Sequence, residues 1–288
     1  PFTLTGGTTR HGIARAFLVS PPPELKLYIS AIQFDPHRPA FPISYPRTYS
    51  GDLADAIGLY HTLGQPEDTM ALNEDRIDEA AFLEQCDQVM RERLQMMRLM
   101  LRQERHVRAI VFDTSDRIQH MFWRFLEPEH PAYDPELAVA CGDAIERMYR
   151  ESDAILGEVL AAVDAKTTLF VVSDHGFAPF RRAVHLNRWL YDEGFLHLLP
   201  GKLPDDASQY FADVDWSRTR AFALGFNSLY INQRGREPQG IVEPGRETEQ
   251  LKGELQQKLA GLVDPQTGEP MIHSVSTRQE AWWGEATE

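Results

Sequence analysis

Apolar and polar residues alternate most clearly near the start of the chain, in Arg15-Ala16-Phe17-Leu18-Val19 and Leu25-Lys26-Leu27-Tyr28-Ile29. This period of two predicts two strands, and Pro21-Pro22-Pro23 between them suits a hairpin-like connection. Pro36, Pro39, Pro42 and Pro46 then impose an extended, helix-free stretch. A short helix is expected over 50–63, with Ser50 as its cap. From Asp75 to Glu104 the period becomes helical, with Phe82, Val89, Leu94, Met97 and Leu101 on one face of a long amphipathic helix. Met90, Met96, Met97 and Met100 read as adaptable core packing rather than a soft-metal site. The compact, mainly apolar run Val107-Arg108-Ala109-Ile110-Val111-Phe112 predicts a buried strand ending at Asp113. A second helix over 135–163 leads into another such run, 167–172.

Strand, long helix, strand is the pattern of a parallel sheet covered by helices, and ligands of such sheets gather at the carboxyl ends of the strands. Beyond Arg182 the pattern predicts a helix at 186–193, strands at 220–224 and 228–232, and a charged helix over 247–262. The expected organisation is one α/β domain over 1–288. A β- and Pro-rich lead-in occupies 1–50, and a small β-rich insertion or cap occupies 195–245.

Composition narrows the class. Lys and Arg number 29 against 43 Asp and Glu, for a net charge of −14. That disfavours a nucleic-acid polymer as partner, because backbone affinity comes from Lys and Arg displacing counterions. No apolar run is long enough to span a bilayer. Two cysteines, Cys86 and Cys141, are too few for a disulfide framework or a thiolate zinc cluster, so any metal would be held by His and carboxylates. The chain opens at Pro1 without a leader, which favours the cytoplasm only slightly, since a targeting segment could precede Pro1. The ends suggest a piece of a longer protein, and oligomeric state is left open.

The two strand ends carry the chemistry. Ser173-Asp174-His175-Gly176-Phe177 follows the second run, where a carboxylate and an imidazole can face one cation and Gly176 eases the sharp exit. A turn with a satisfied surface histidine is the plain alternative. Asp116 and His120 follow the first run, four residues apart, hence on one face of a helix beginning near Ser115. Here the alternative is an acidic first turn with a core-facing histidine. Together the two pairs suggest a two-metal site that could clamp the oxygens of an in-line displacement at phosphorus. Bound divalent ions would also reconcile an acidic protein with an anionic substrate.

These residues, with His120-Met121-Phe122-Trp123-Arg124 and Asn232-Gln233-Arg234-Gly235-Arg236-Glu237, resemble the alkaline phosphatase superfamily, and within it the type I phosphodiesterase and nucleotide pyrophosphatase branch. The resemblance implies an alkaline phosphatase-like α/β core, a mostly parallel sheet sandwiched by helices. It also implies hydrolysis of a small phosphate ester with two divalent ions, zinc first, manganese or magnesium otherwise. Asp174 and His175 would serve one ion, Asp116 and His120 the other. A phosphomutase or sulfatase of the same superfamily, or an inactive binding or structural module, are the alternatives. The family's Thr or Ser nucleophile and a further C-terminal metal-binding histidine have no match in 1–288. The expectation is therefore an internal fragment, inactive or very weakly active alone.

Asp113 is a candidate for orienting His120 or His175, with a salt bridge or strand cap as the equal alternative. His185 could touch substrate or act at the helix entry. Arg181 and Arg182 could meet a phosphate or pair on the surface. Asn232, Arg234 and Arg236 read as a turn around Gly235. Trp123, Trp189 and Trp216 read as core or interface aromatics. Ser173 and Thr114 have no evident base and are unlikely nucleophiles.

Overall fold

The N-terminal alternation does produce paired strands. In the computed structural model, which describes residues 2–3, 9–64, 66–204 and 211–284, β1 (Phe2–Thr3) pairs antiparallel with β2 (Thr9–Arg10). β3 (Gly12–Ile13) is followed by β4 (Ala16–Ser20), which pairs with β5 (Lys26–Ile29) and sets Phe17 opposite Tyr28. β6 (Gln33–Phe34) returns to pair with β3. Tyr28 donates to Asp68 at 2.6 Å, which ties the hairpin to the helices behind it. Residues 4–8 of the expected lead-in and 205–210 of the expected 195–245 insertion lie outside the described residues.

The chain divides into two units, residues 1–181 and 182–288. In the first, α1 spans Tyr49–Ile57, shorter than the 50–63 expected, because Gly58 takes a φ of 87° and ends it. Ser50 sits inside the helix rather than capping it, and its buried hydroxyl donates to the Pro36 carbonyl at 2.8 Å. After α2 (Thr69–Asn73) comes the long amphipathic helix α3 (Glu79–Leu101), started by Asp78, whose carboxylate accepts from the Ala81 N–H. α4 (Thr114–Phe122) runs into a 3-10 turn, Trp123–Phe125. The single helix expected over 135–163 is two helices, α5 (Pro135–Cys141) and α6 (Ala144–Ala162). They part at Gly142, where a Cβ would lie 2.3 Å from the Ala138 carbonyl oxygen.

Phe82 and Cys86 of α3, Ile118 and Phe122 of α4, and Ala144, Ile145 and Met148 of α6 form the principal core. Met90 and Met97 are buried in a second cluster with Ile155, so for these two the core reading of the methionines holds. Cys86 and Cys141 are buried and free.

The expected parallel sheet is not formed among the described residues. Every pair of named strands is two-stranded and antiparallel, and 107–112 and 167–172 belong to no strand. Ile110 and Phe112 pack against the methionine cluster, but Val107 and Val111 face solvent, as do Phe170, Val171 and Val172, the last 86% exposed. A mainly apolar run favours burial on both faces; it does not supply the neighbouring strand that its N–H and C=O groups need.

The second unit holds α7 (Leu186–Asp192), the antiparallel pair β7 (Ala221–Ala223) and β8 (Leu229–Ile231), α8 (Arg246–Ala260) and α9 (Arg278–Ala281). Leu190, Phe195, Ala221, Ile231, Val242, Leu251 and Leu255 make its core. Asn232, expected in a turn, is fully buried, and its amide nitrogen lies within 3.1 Å of the carbonyls of Trp216, Thr219 and Gln239. It therefore holds three chain segments together. Among the described residues, no helix is long and apolar enough to cross a membrane.

Candidate metal centre

α4 is amphipathic in a way that aims its ligands outward. Thr114, Ile118 and Phe122, spaced by four, are buried. Asp116 and His120 are offset by two residues, about 200° around the helix, and so lie on the opposite face. Ser115 does not cap α4; it lies within the helix, and its hydroxyl donates to the Phe112 carbonyl.

Nε2 of His120 is 3.2 Å from Oδ1 of Asp116, and Nε2 of His175 is 3.5 Å from the same oxygen. The other carboxylate oxygen, Oδ2, accepts from Arg117 at 2.5 Å. His175 is oriented by its own loop: Nδ1 is 3.0 Å from the Gly176 carbonyl, and the Ser173 hydroxyl donates to the His175 carbonyl at 2.6 Å. With the proton on Nδ1, the Nε2 lone pair faces Asp116. The three ligand atoms all lie within 4.8 Å of one another. One carboxylate and two imidazoles turned toward a common point fit a divalent ion with an open position, the donor set and number found in catalytic zinc sites.

The structure thus groups both histidines with Asp116. Asp174 stands outside that group; its side chain is 90% exposed, with Oδ2 3.8 Å from His175 Nε2. Asp113 lies 3.8 Å from Arg93, and its Oδ1 is buried without a hydrogen bond. Arg181 grips Glu127 through Nε and Nη2 at 3.0 and 2.7 Å, and Arg182 is paired with Asp264. His185, exposed, precedes α7 in the second unit.

Sequence reasoning missed the residues that brace α4. Glu67, 2% exposed, accepts from the buried Thr114 hydroxyl at 2.7 Å, and its other oxygen has no hydrogen-bond partner. No local pattern joins two residues 47 positions apart. Burial pushes the Glu67 carboxyl above its ordinary value, with nearby Asp113 adding to the rise against the hydrogen bond from Thr114. A carboxyl whose pKa is raised by folding contributes most stability below its unfolded value, near 4.3, and loses it as pH climbs through the raised value. Glu67→Gln keeps the acceptor for Thr114 and cannot ionise. It should gain about 1 kcal/mol at pH 8 and nothing at pH 4, read from urea unfolding at the two pH values.

A family model for type I phosphodiesterase / nucleotide pyrophosphatase matches residues 29–285. The chain belongs to that family, whose members hydrolyse small phosphate esters and are typically metal-dependent. No curated protein and no solved structure matches it.

Proposed function

We propose that this chain carries the metal-binding part of a phosphoric diester hydrolase, and the observation that carries the reading is the convergence of Asp116, His120 and His175 within 4.8 Å. These three residues would hold one divalent ion, zinc first by the donor set. Asp174, exposed beside His175, would serve a second. When bound, the ions supply a Lewis acid to a phosphoryl oxygen and lower the pKa of the attacking hydroxyl. The chain's own part is to fix the donors: Arg117 holds Asp116, and the Gly176 carbonyl holds the tautomer of His175.

The attacking hydroxyl, on this reading, comes from outside these residues. The hydroxyls next to the ligands are already engaged: Thr114 donates to Glu67, Ser115 to the Phe112 carbonyl and Ser173 to the His175 carbonyl. The bare apolar runs 107–112 and 167–172 support the same view, as strands of an alkaline phosphatase-like sheet whose neighbours also lie outside.

The test is zinc titration with bis(p-nitrophenyl) phosphate, p-nitrophenyl phosphate and p-nitrophenyl sulfate as substrates. Zinc should bind, His175→Ala should weaken it by at least about 100-fold, and any turnover should be slow, prefer the diester and vanish in the variant. Unchanged binding and turnover in His175→Ala, or preference for the sulfate, would sink the reading.

A further inference from the structure

The two histidines reach Asp116 from different elements, His120 from α4 and His175 from the loop after 167–172, so something must fix the distance between them. Phe177 packs against both rings, which also meet each other edge-on at 6.3 Å. Its centroid is 4.9 Å from that of His120 and 5.2 Å from that of His175, edge-on to both at 76° and 62°. Aromatic pairs at these separations favour such edge-to-face contacts, which makes the arrangement a bearing rather than a chance approach.

Phe177 is itself held from behind. It stacks on Trp123 at 6.2 Å and 17°, in the 3-10 turn that continues α4. Four residues further along, Arg181 closes a two-nitrogen grip on the same Glu127 oxygen, and His130 Nε2 is 2.9 Å from the Phe180 carbonyl. Segment 177–181 is thus fastened at three points to segment 123–130. The Glu127 carboxyl lies below its ordinary value, chiefly through the Arg181 hydrogen bonds, with Trp123 and His130 also favouring the anion.

We infer that Phe177, held in place by the Glu127–Arg181 pair, is the positioning residue that sets the separation of His120 and His175 for capture of a divalent cation. This rests on the metal reading above. Loss of Phe177 frees both rings to turn, and loss of the Glu127–Arg181 pair lets the loop bearing His175 swing from α4. Neither change removes a ligand, so the expected effect has the size of an outer-sphere substitution, about 10-fold in metal affinity.

The experiment measures zinc affinity by competition with a chelating dye for the native chain, Phe177→Ala, Phe177→Leu, Arg181→Met, the double reversal Glu127→Arg with Arg181→Glu, and Asp116→Ala. Phe177→Ala and Arg181→Met should each weaken zinc binding about 10-fold, and the double reversal should restore most of the loss seen in Arg181→Met. The metal-free melting temperature of Arg181→Met should stay close to native, because an exposed ion pair contributes little to stability. The ring-proton shifts of His120 and His175 should move in Phe177→Ala and, by less, in Phe177→Leu. Native-like zinc affinity in Phe177→Ala and Arg181→Met, with binding lost in Asp116→Ala, overturns the inference and leaves the metal site standing. Native-like affinity in Asp116→Ala overturns the metal reading, and the inference falls with it.

Discussion

Asp116→Ala should abolish divalent-metal binding at the candidate centre, with zinc affinity falling by more than the 10- to 100-fold of outer-sphere changes, about 1,000-fold or beyond. Three arguments give this residue the largest effect on the site. It is the only carboxylate in the three-donor group, and so the only donor that neutralises part of the ion's charge. Its Oδ1 lies near the Nε2 of both imidazoles, at 3.2 and 3.5 Å, so the histidines lose their common focus along with a ligand. Its Oδ2 neutralises Arg117, whose guanidinium would otherwise stand beside an incoming cation. Asp116→Asn separates these roles, since it keeps the shape and the Arg117 contact is weakened rather than lost. It should bind zinc more weakly than native and more tightly than Asp116→Ala. Isothermal titration with zinc checks both. The side chain is on the outward face of α4, so unfolding free energy should shift by less than about 1 kcal/mol, which distinguishes a lost ligand from a lost fold.

The largest effect on stability should come from Phe122→Ala. Phe122 is 1% exposed at the inner face of α4, stacked on Phe82 at 6.1 Å and meeting Phe125 edge-on at 5.7 Å. Removing a buried phenyl ring costs about 3–5 kcal/mol through lost transfer energy and the cavity left behind. Against a typical total of about 5–15 kcal/mol, that is a large share of the stability. The expected observation is a lowered urea midpoint with an unchanged denaturant slope. Because His120 lies two residues before Phe122 on the same helix, Phe122→Ala should also weaken zinc binding. Phe122→Leu, which leaves a smaller void, should cost less than about 2 kcal/mol and keep most of the affinity.

What could be read from the residues alone follows from the range of the interactions involved. Local signals were legible. The hairpin at 16–29, the helix at 79–101 and the helix bearing Asp116 and His120 all follow from period and spacing. The fault in 135–163 was written in Gly142 but overridden by strong helical patterning on both sides. Long-range pairing was not legible. The mainly apolar runs at 107–112 and 167–172 looked like central strands, yet which strand would lie beside each is a property of distant sequence. At the site, the proximity of Asp116 to His120 followed from helical geometry, whereas His175, 59 positions away, was expected near Asp116 only as a neighbouring strand end and was paired with Asp174 on the other ion. Asp174, read together with His175, has its Oδ2 3.8 Å from His175 Nε2 but stands outside the three-donor group. Glu67 and Glu127 had no signature, and Phe177 stood in the motif around His175 without a role of its own, since what matters about each is a contact made through tertiary packing.

The backbone at 107–112 and 167–172, without ladder partners among the described residues, also bears on how molecules of this chain would meet one another. Apart from the Phe112 carbonyl and the Thr167 N–H, the N–H and C=O groups of these runs lack partners among the described residues, and flanked by exposed valines and phenylalanine they are a template for another strand. What opposes that union is the excess of 14 negative charges, a repulsion that reaches only about 10 Å at 0.1 M salt and shortens as salt is added. Colloidal behaviour in this chain is therefore a contest between two sticky edges and a diffuse coat of like charge, with ionic strength deciding the outcome.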